Sequence, residues 1–405
     1  MLDDVHRRHA LDRSPRARTG TLAERGGGVL AVIVVHEGVD WLGDALDALL
    51  DQTYRDLEVL AVDNASTDGS RDVILDRLGV ERVLVTDGDV GFAGAVSMAL
   101  DSAAAAACSA EWLLLVHDDL VLDPDAVARL VAHASNDPRL AAVGPKLLHH
   151  DDPKLLQQVG MSIDVTGRAS SGLEADELDQ GQHDHVRPVL YVSSAGMLVR
   201  RSIFEAIGGF DRRYHVFRDD LDLCWRLWLA GYDVEAVPEA VGRHVRAATH
   251  DRRQSHVRES GRHYHTERNT LATMLKCYGG ARLALVVPLY LAVGSVRLVA
   301  YMVTRRFGEA WQIVRAWGWN LRHAQETWRL RAPVQAARVR DDRELIPLFS
   351  RLAPQLRTYV EALADRLSGG ELEVPAPHEV EDGERSWLRF VALHPVFAVV
   401  SVLVV

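Results

Sequence analysis

Polar side chains follow the first two apolar runs of the 405-residue sequence, at the points where buried strands would end. His36 and Glu37 come after residues 29–35, and the block DNASTDGS (63–70) comes after residues 57–62. Carboxylate, amide and hydroxyl groups at a helix start suit a ribose, a base edge or a phosphate. An ordinary capped turn between a strand and a helix has the same composition, so the block alone leaves both interpretations open.

A glycine-containing block, DVGFAGA (89–95), begins the next helical pattern. Gly91 and Gly94 lie on either side of Phe92, and small residues at a helix N-terminus allow a ligand to approach the backbone closely. Close packing of the helix against a sheet would select the same residues. The block therefore indicates either a ligand contact or a contact between helix and sheet.

An imidazole and two carboxylates, His117, Asp118 and Asp119, follow the fourth apolar run. Adjacent carboxylates at the end of a buried strand are costly to place unless a cation lies between them. Hard oxygen ligands favour Mg²⁺ or Mn²⁺, and these ions bridge diphosphates. The sequence therefore predicts a divalent metal site at this position.

Three carboxylates within four positions, Asp219, Asp220 and Asp222, begin a later helical pattern. Their mutual repulsion raises the pKa of at least one of them, which suits a general base for a sugar hydroxyl. A helix N-terminus also favours acidic residues through its dipole, but that effect accounts for one carboxylate better than for three.

These blocks lie between short apolar runs and helical patterns that alternate along the first part of the chain. The predicted strands are 29–35, 57–62, 83–85, 112–116 and 140–143, and the predicted helices are 41–50, 70–78, 92–107 and 124–134. Such alternation indicates an α/β fold with a doubly wound parallel sheet, which binds ligands at the carboxyl ends of its strands. Beyond Gly144 the pattern is irregular, with a polar loop at 170–187, a strand at 189–199 and a helix at 220–230.

Composition argues against two classes of protein. The chain has 46 Lys and Arg residues against 57 Asp and Glu residues, a net charge of −11, so we expect no nucleic-acid partner. Its three cysteines, Cys108, Cys224 and Cys277, are odd in number and far apart. They argue against a disulfide framework and suit a reducing compartment.

Taken in order, the blocks resemble those of inverting glycosyltransferases of family 2, which have the GT-A fold. The resemblance spans residues 28–250 and is carried by VDNASTDGS, GFAGA, HDDLVLDPD, AGMLVRRSIFEAIGGFD and RDDLDLCWR, with a weaker match at Arg268 and Asn269. It implies a Rossmann-like α/β domain with a mostly parallel sheet flanked by helices. Bacterial rhamnosyl and galactofuranosyl transferases of cell-envelope synthesis are the relatives that it looks most similar to.

The resemblance implies a cleft for a nucleotide sugar. The residues that would line this cleft are His36, Glu37, Asp63, Asn64, Ser66, Gly91, Phe92, Gly94 and Asp118. Asp89 and Ser97 stand where many family members have Asn, so the sugar contacts depart from the usual pattern.

The resemblance also implies a divalent metal, Mg²⁺ or Mn²⁺, and a catalytic base. Asp119, His117 and His244 would hold the metal, although His117 stands where the family has the first Asp of its metal motif. Asp220 would take the proton of an acceptor hydroxyl, with Asp219 as its close competitor. On the acceptor side, the implied residues are Gly196, Asp222 and Trp225.

Two apolar segments indicate a membrane. Residues 281–304 are long enough to span one, yet Arg282 and Arg297 favour interfacial or re-entrant helices, with a buried helical hairpin as the alternative. Residues 387–405 are expected to begin a transmembrane helix. Together they predict a location at the cytoplasmic face of the cell membrane, within a multi-pass protein whose chain continues beyond Val405.

The predicted organisation has five parts along the chain. They are a disordered arm (1–27), a catalytic domain (28–250), a membrane-associated helical region (251–368), an acidic linker (369–386) and the apolar end (387–405). The predicted activity is metal-dependent, inverting transfer of a sugar from a nucleoside diphosphate to a lipid-linked or cell-envelope glycan acceptor. A catalytically degenerate scaffold and a sugar nucleotidyltransferase are the alternatives.

Overall fold

The computed structural model describes residues 27–164, 167–247, 259–303 and 305–350. A mixed sheet flanked by helices occupies the chain as far as residue 247, and a group of helices follows from residue 259. Most of the predicted arm (1–27), the acidic linker (369–386) and the apolar end (387–405) lie outside the described residues.

The described strands form one large sheet and one small one. In chain order they are β1 (Val29–Val35), β2 (Leu57–Asp63), β3 (Val83–Val85), β4 (Trp112–His117), β5 (Leu120–Leu122), β6 (Leu140–His149), β7 (Leu156–Gln158), β8 (Ser162–Ile163), β9 (Ala169–Ser170), β10 (Arg187–Pro188), β11 (Met197–Arg200) and β12 (Asp233–His244). The spatial order of the large sheet is β10-β12-β6-β11-β4-β1-β2-β3, with β5 beside β12 and β7 beside β6. β8 pairs only with β9 among the described strands.

Half of the large sheet, β3-β2-β1-β4, is parallel, as the sequence predicts. Every residue of β1 is buried, which is typical of a parallel strand covered by helices on both faces. Val35 pairs with Asp63, and Val34 pairs with His117. The polar residues that follow β1, β2 and β4 therefore lie at one edge of the sheet.

The other half of the sheet is mixed, which corrects the expectation of a mostly parallel sheet. β11 runs antiparallel between β4 and β6, whereas β6 and β12 are parallel. The predicted strand 189–199 is wrong, because Gly196 turns the chain with a φ of +91° just before β11 begins. The sequence analysis missed β12, whose pairing with β6 is irregular between Val237 and Val241, around Pro238.

Helices cover both faces of the sheet. The described helices are α1 (Val39–Leu50), α2 (Ser70–Leu78), α3 (Gly91–Leu100), α4 (Ala103–Ala107), α5 (Ala126–Ala134), α6 (Arg201–Ala206), α7 (Asp219–Leu229), α8 (Glu259–Cys277), α9 (Gly280–Val303), α10 (Phe307–Arg322), α11 (Ala324–Ala336) and α12 (Asp342–Leu345). The predicted helix 92–107 is two helices, because the Ser102 hydroxyl caps a new one by accepting the amide of Ala105. Helices α1, α2 and α5 pack on one face of the sheet, and α3, α7, α8 and α9 contribute to the core on the other.

A buried group of charges joins the sheet unit to the helices that follow it. Lys276 of α8 places Nζ 2.6 Å from Asp211 Oδ2 and 2.6 Å from Asp222 Oδ1 of α7. Arg226 Nε lies 2.9 Å from the other oxygen of Asp222. Because buried charges are stable only when paired, this network fixes α8 against α7.

Helix α9 is long and apolar enough to cross a membrane, judged by length and composition. It is the one helix of that kind among the described residues, and 24% of its most apolar window is buried. A single such helix gives no support to the expected multi-pass protein.

Candidate active site

The carboxyl ends of β1, β2 and β4 bring the first predicted groups into contact. The backbone amide of His36 donates to Asp118 Oδ2 at 2.9 Å, and Nδ1 of the same residue lies 2.7 Å from the backbone oxygen of Asn64. Asp118 is 1% exposed, and its carboxylate supports the turn after β1. This buried position differs from the contact with a nucleotide sugar that the family resemblance implies for Asp118.

Asp63 is fully buried at the end of β2, and both of its carboxylate oxygens are engaged. Oδ1 accepts the amide of Ser66 at 3.0 Å, and Oδ2 accepts Arg71 Nε at 2.6 Å. Glu37 completes the turn, because its Oε1 accepts both the amide and the hydroxyl of Thr67. The block after β2 is therefore an extensively hydrogen-bonded turn, although the N-cap residue of α2, Gly69, provides no side-chain cap. Both interpretations of the block are compatible with this bonding.

Asp89 connects the second and third blocks. Its Oδ1 accepts Asn64 Nδ2 at 2.7 Å and the amide of Gly91 at 3.0 Å, and its Oδ2 lies 2.9 Å from His215 Nε2. Burial opposes ionisation, but the hydrogen bond and charge of His215 outweigh it and hold the pKa of Asp89 well below its usual range. A carboxylate can therefore stand where many family members have Asn, because His215 stabilises its charge.

Gly91 is required by a close contact within the chain. Its φ is +72°, and a Cβ atom there would lie 2.1 Å from the backbone oxygen of His215. The same oxygen accepts the amide of Phe92 at 3.1 Å, and the Phe92 ring packs edge-on against His117 at 4.8 Å. Gly94 has only the Val90 side chain within reach of an added Cβ. Gly91 therefore fits the packing interpretation of this block.

His117, Asp119 and His244 form the group that could hold a metal ion. One ligand atom from each residue lies within 4.8 Å of the other two. His117 ends β4, His244 ends β12, and Asp119 lies in the tight turn between β4 and β5. Antiparallel pairing of β5 with β12 places His244 opposite Leu120, which brings these distant positions together.

Gln157 of β7 determines which ring nitrogen of a neutral His244 carries the proton. Its Nε2 donates to the backbone oxygen of His244 at 2.8 Å, so its Oε1 must be the atom that lies 2.9 Å from His244 Nδ1. Nδ1 therefore carries a proton, and the lone pair of a neutral imidazole lies on Nε2. Nε2 is buried and lies 3.2 Å from Asp119 Oδ1, an arrangement of two acceptors that a cation between them would stabilise. The donor set of two imidazoles and one carboxylate thus fits a divalent metal.

Asp219 and Asp220 begin α7, and both carboxyls titrate above their usual range. Burial and the neighbouring charge of Asp220 raise the pKa of Asp219 to about 8. Burial also raises the pKa of Asp220, although hydrogen bonds from the amides of Leu221 and Ser194 and the charge of Arg218 oppose the shift. Asp219 is buried, whereas Asp220 is partly exposed. The arrangement allows Asp220 to contact a substrate, while Asp219 remains protonated beside it at neutral pH.

Two consecutive residues with left-handed backbone conformation present this carboxylate pair. Phe217 has a φ of +62° and Arg218 a φ of +68°, which is uncommon for residues other than glycine. Asn269 of α8 donates its Nδ2 to the backbone oxygens of Val216 and Phe217, at 2.9 and 2.7 Å. The amide of Asn269 therefore fixes the strained turn that precedes Asp219.

Ser194 connects the candidate metal ligands to the carboxylate pair. Its hydroxyl lies 3.1 Å from His117 Nε2, and its backbone amide donates to Asp220. One residue thus contacts both groups, so they belong to one site.

The structure places the expected acceptor-side residues in the interior. Asp222 is fully buried between Arg226 and Lys276, and Trp225 is fully buried with its ring edge-on against Tyr278. Gly196 is also buried, and a Cβ there would lie 3.0 Å from Pro145. The three residues are therefore buried supports in the structure, and the acceptor contacts that the resemblance implies for them stay a prediction.

Sequence reasoning missed Gln157, Ser194 and His215 as parts of the site. Gln157 meets His244 through the pairing of β7 and β12 with β6, which no local pattern reveals. Ser194 lies within the region predicted as strand 189–199, and no acidic or glycine-rich block marks His215. All three residues are positioned by contacts with residues that are far away in the sequence.

A Rossmann-like parallel half-sheet joined to a mixed half-sheet, flanked by helices, matches the GT-A fold of glycosyltransferases. The chain belongs to the family described as "Glycosyltransferase like family 2", whose model matches residues 27–266. It is therefore a glycosyltransferase.

Curated relatives from bacterial envelope synthesis are similar to about half of the chain. The N-acetylglucosaminyl-diphospho-decaprenol L-rhamnosyltransferase of Mycobacterium tuberculosis is 29% identical over 214 residues, which cover 48% of this chain and 68% of the relative. The galactofuranosyltransferase GlfT1 of Mycolicibacterium smegmatis is 27% identical over 203 residues, covering 50% and 66%. The O-antigen biosynthesis protein RfbC of Myxococcus xanthus is 32% identical over 213 residues, covering 51% of this chain and 16% of that protein.

A solved structure supports the fold. The crystal structure of GalNAc-T7 with UDP, GalNAc and Mn²⁺ superposes with a TM-score of 0.51 at 16% identity, covering 66% of this chain and 52% of that one. At this level of identity the likeness concerns the fold alone.

Proposed function

We propose that the chain transfers a sugar from a nucleoside diphosphate sugar to a lipid-linked or cell-envelope glycan acceptor, with inversion at the anomeric carbon. The observation that carries the proposal is the double contact of Ser194, with His117 on one side and Asp220 on the other. A diphosphate held near the histidines would place its sugar beside the base. Transfer chemistry requires this adjacency.

The donor lies along the carboxyl edge of the parallel half-sheet. His36, Glu37, Asp63, Asn64 and Ser66 surround the nucleoside, and Gly91, Phe92 and Gly94 lie beside the sugar. The ordered turn after β2 supports this assignment, because Arg71 neutralises the buried carboxylate of Asp63 and leaves the neighbouring polar groups in fixed positions. A preformed polar edge of this kind lowers the entropic cost of binding.

His117, Asp119 and His244 would hold a divalent ion, which would supply positive charge to neutralise the departing nucleoside diphosphate. The protonated Nδ1 of His244 supports this role, because Gln157 leaves Nε2 free to ligate. Oxygen ligands suffice for Mg²⁺, whereas two imidazole donors favour a transition metal such as Mn²⁺.

Asp220 accepts the proton of the acceptor hydroxyl as that oxygen attacks the anomeric carbon. The bond from the anomeric carbon to the diphosphate oxygen breaks, and the electron pair leaves with the nucleoside diphosphate. Asp219 stays protonated beside it, because burial and the charge of Asp220 raise the pKa of Asp219 to about 8, so the pair carries one negative charge at neutral pH. A base with a raised pKa takes up a hydroxyl proton more readily than an ordinary aspartate.

The relatives suggest the acceptor class and the location. Proteins that act on a diphospho-decaprenol acceptor or build O-antigen are among those similar to this chain. We therefore place the enzyme at the cytoplasmic face of the cell membrane. Its described cysteines are all free and buried, which agrees with a reducing compartment.

Donor hydrolysis and transfer over a panel of nucleotide sugars test the proposal. The panel contains UDP-, dTDP- and GDP-sugars, including rhamnose and galactofuranose donors, each with Mn²⁺, with Mg²⁺ and with chelator. We expect turnover with one donor, supported best by Mn²⁺ and lost on chelation. Failure to bind any of these donors would favour the catalytically degenerate scaffold.

Metal binding separates the role of the ligands from turnover. Mn²⁺ affinity, measured by calorimetry without donor, should fall for His244→Ala and by about tenfold or more for Gln157→Leu. His133→Ala is the matched control, since His133 pairs with Glu235 on β12 away from the site. Equal Mn²⁺ affinity in His244→Ala and the native chain would contradict the assigned ligand set.

Asp220→Asn tests the base. The substitution should abolish transfer while nucleotide affinity stays within about twofold, because the amide cannot accept a proton at neutral pH. Asp72→Asn, an exposed change on α2, provides the control for the loss of one negative charge. Substantial turnover by Asp220→Asn would transfer the role to Asp219.

A further inference from the structure

Helix α10 has an unusual distribution of side chains. Large apolar residues, Phe307, Trp311, Val314 and Leu321, project to the exposed side, and Leu321 is 80% exposed. Their spacing of four, three and seven positions places them on a single stripe. The buried side carries Ala310, Ile313 and Ala316 together with polar Gln312 and Asn320. An ordinary surface helix has polar residues on its exposed side, so the exposed apolar stripe of α10 is unusual.

Helix α9 continues this apolar surface. Its exposed residues include Leu285, Val299, Met302 and Val303, and Leu285 is 71% exposed. They fall on one side of the helix at intervals of three or four residues or their multiples. Helices α9 and α10 pack together where Gly294 lies against Trp317, which an added Cβ would approach to 2.5 Å. The two stripes define what we call the hairpin face, on helices 280–303 and 307–322.

The charge of this segment differs from that of the whole chain. Residues 280–322 contain six arginines and one glutamate, a net charge of +5, whereas the chain as a whole carries −11. Arginine near exposed aromatic and aliphatic side chains is typical of surfaces that enter the headgroup region of anionic membranes. A basic, apolar surface therefore has a bilayer as its complementary partner.

Contacts with α8 restrict how α9 can meet a membrane. Arg297, in the middle of the apolar helix, places Nη1 3.1 Å from Glu267 Oε2, and Tyr290 donates its hydroxyl to the backbone oxygen of Glu267. Two residues further along α8, Asn269 bonds the turn that precedes Asp219. A perpendicular crossing by α9 would carry α8 and this polar turn towards the bilayer centre, which is costly.

We propose that the hairpin face docks on a lipid bilayer containing anionic phospholipids, with α9 and α10 lying flat in one leaflet. The enzyme is then monotopic through this segment, at the surface on which a lipid-linked acceptor would lie. The proposal deepens the proposed location of the enzyme, but vesicle binding requires no nucleotide sugar. Its failure is therefore distinguishable from failure of the proposed transfer.

Co-sedimentation of the full chain with vesicles is the first test. We expect binding to phosphatidylcholine vesicles that contain phosphatidylglycerol, and weaker binding to phosphatidylcholine alone or at high salt. The double change Trp311→Glu with Leu321→Glu should lower partitioning by about tenfold or more, because it places charge on the apolar stripe. Val80→Glu is the matched control, since Val80 is 77% exposed on the sheet unit. Equal binding by the double variant and the native chain would overturn the proposal.

Depth measurement distinguishes a flat helix from a crossing one. The native cysteines are buried, so single surface cysteines can be labelled with an environment-sensitive fluorophore in Leu285→Cys, Ala292→Cys, Val299→Cys and Val314→Cys. Lipids that carry a quencher at shallow depth should quench the fluorescence of all four labels to a similar extent. A 24-residue helix is about 36 Å long, enough to cross the hydrocarbon core. A deep label at Ala292 between shallow labels at Leu285 and Val299 would therefore show a crossing helix and overturn the flat arrangement.

Light scattering of the detergent-free protein tests a competing occupant. A monomer that binds vesicles supports docking on lipid. A dimer that the double variant converts to monomer, without vesicle binding by the native chain, would show that the hairpin face contacts a second copy, and would overturn the proposal.

Discussion

Gln157 and Ser194 lie outside the acidic blocks of the sequence, yet each sets the proton position or the pKa of a single residue in this site. Gln157 determines which nitrogen of His244 carries the proton, and the Ser194 hydroxyl lies beside His117. The amide of Ser194 also donates to Asp220, which limits the rise of its pKa. The position of the proton on His244 therefore depends on Gln157, and the pKa of Asp220 depends on the amide of Ser194.

Replacing Asp219 with Asn should stabilise the protein at neutral pH. The folded-state pKa of Asp219 is about 8, above its ordinary value of 3.8. The ionisable carboxyl therefore costs no stability below about pH 4, and its cost grows as the pH rises from about 4 to about 8 and is constant above that. Chemical denaturation should show a gain in unfolding free energy on the order of a few kcal/mol at pH 7 for Asp219→Asn, and little gain near pH 4.

The same substitution tests which carboxyl is charged during transfer. Asp219, with a pKa of about 8, is already uncharged where Asp220 titrates, so Asp219→Asn should leave the acidic limb of the kcat/KM profile close to its native position. Asp72→Asn serves again as the control for net charge. An acidic limb that moves to lower pH in Asp219→Asn would show that Asp219 carries a charge where Asp220 titrates.

At the scale of elements, α8 supports the turn that precedes Asp219. Asn269 donates to the backbone oxygens of Val216 and Phe217, and these bonds hold the left-handed turn at Phe217 and Arg218. Arg268 strengthens the arrangement by donating Nε to Asn269 Oδ1 and Nη2 to the backbone oxygen of Arg213. The position of α7 and of its first carboxylates therefore depends on a helix that follows about forty residues later.

Asn269→Ala should lower kcat by about tenfold to a hundredfold, because the turn before Asp219 loses both hydrogen bonds and the base moves from its position. Nucleotide affinity, measured by calorimetry, should change much less than kcat, since the turn reaches the donor edge only through His215. Asn269→Asp is the matched variant. It keeps the size and the acceptor for Arg268 but removes the Nδ2 donor, so it should lose activity as well. Full activity in Asn269→Asp would show that Asn269 only fills space.

At the scale of the whole molecule, one buried network unites the sheet unit and the helical region. Lys276 bridges Asp211 and Asp222, and its ammonium group also lies 4.7 Å from the ring of Tyr214. The helical region then presents the hairpin face on its outer side. Helix α8 therefore connects the turn that precedes Asp219 and the buried charge network to the helices that carry the hairpin face.

Lys276→Met should lower the unfolding free energy by about 3 kcal/mol or more, because it leaves buried carboxylates with fewer cationic partners. Thermal unfolding should reveal the loss as a lower transition temperature. Lys154→Met, an exposed change on the sheet unit, should leave the transition nearly unchanged. Similar transition temperatures for the two variants would contradict a stabilising role of the network.

Local patterns in the sequence were sufficient to predict the parallel half of the sheet. Apolar runs end at Val35 and Val62, and polar residues follow directly, so the strands and the edge that carries His36 and Asp63 could be predicted. The mixed half could not be predicted in this way, because Pro238 interrupts β12 and Gly196 turns the chain before β11. Strand pairing between distant segments leaves no periodic signal in either segment.

The sequence by itself determined which chemical groups are present and in what order: a polar turn, a glycine-containing helix start, a His-Asp-Asp block and a carboxylate pair. Only the tertiary structure decided their roles. In the folded chain Asp222 and Trp225 are buried in the interior, and the buried carboxylate of Asp118 supports the turn after β1. Gln157 and Ser194 contact the histidines of the site. The physical reason is that proton position and pKa depend on burial and on neighbours a few ångströms away. Residues far apart in the chain supply those neighbours.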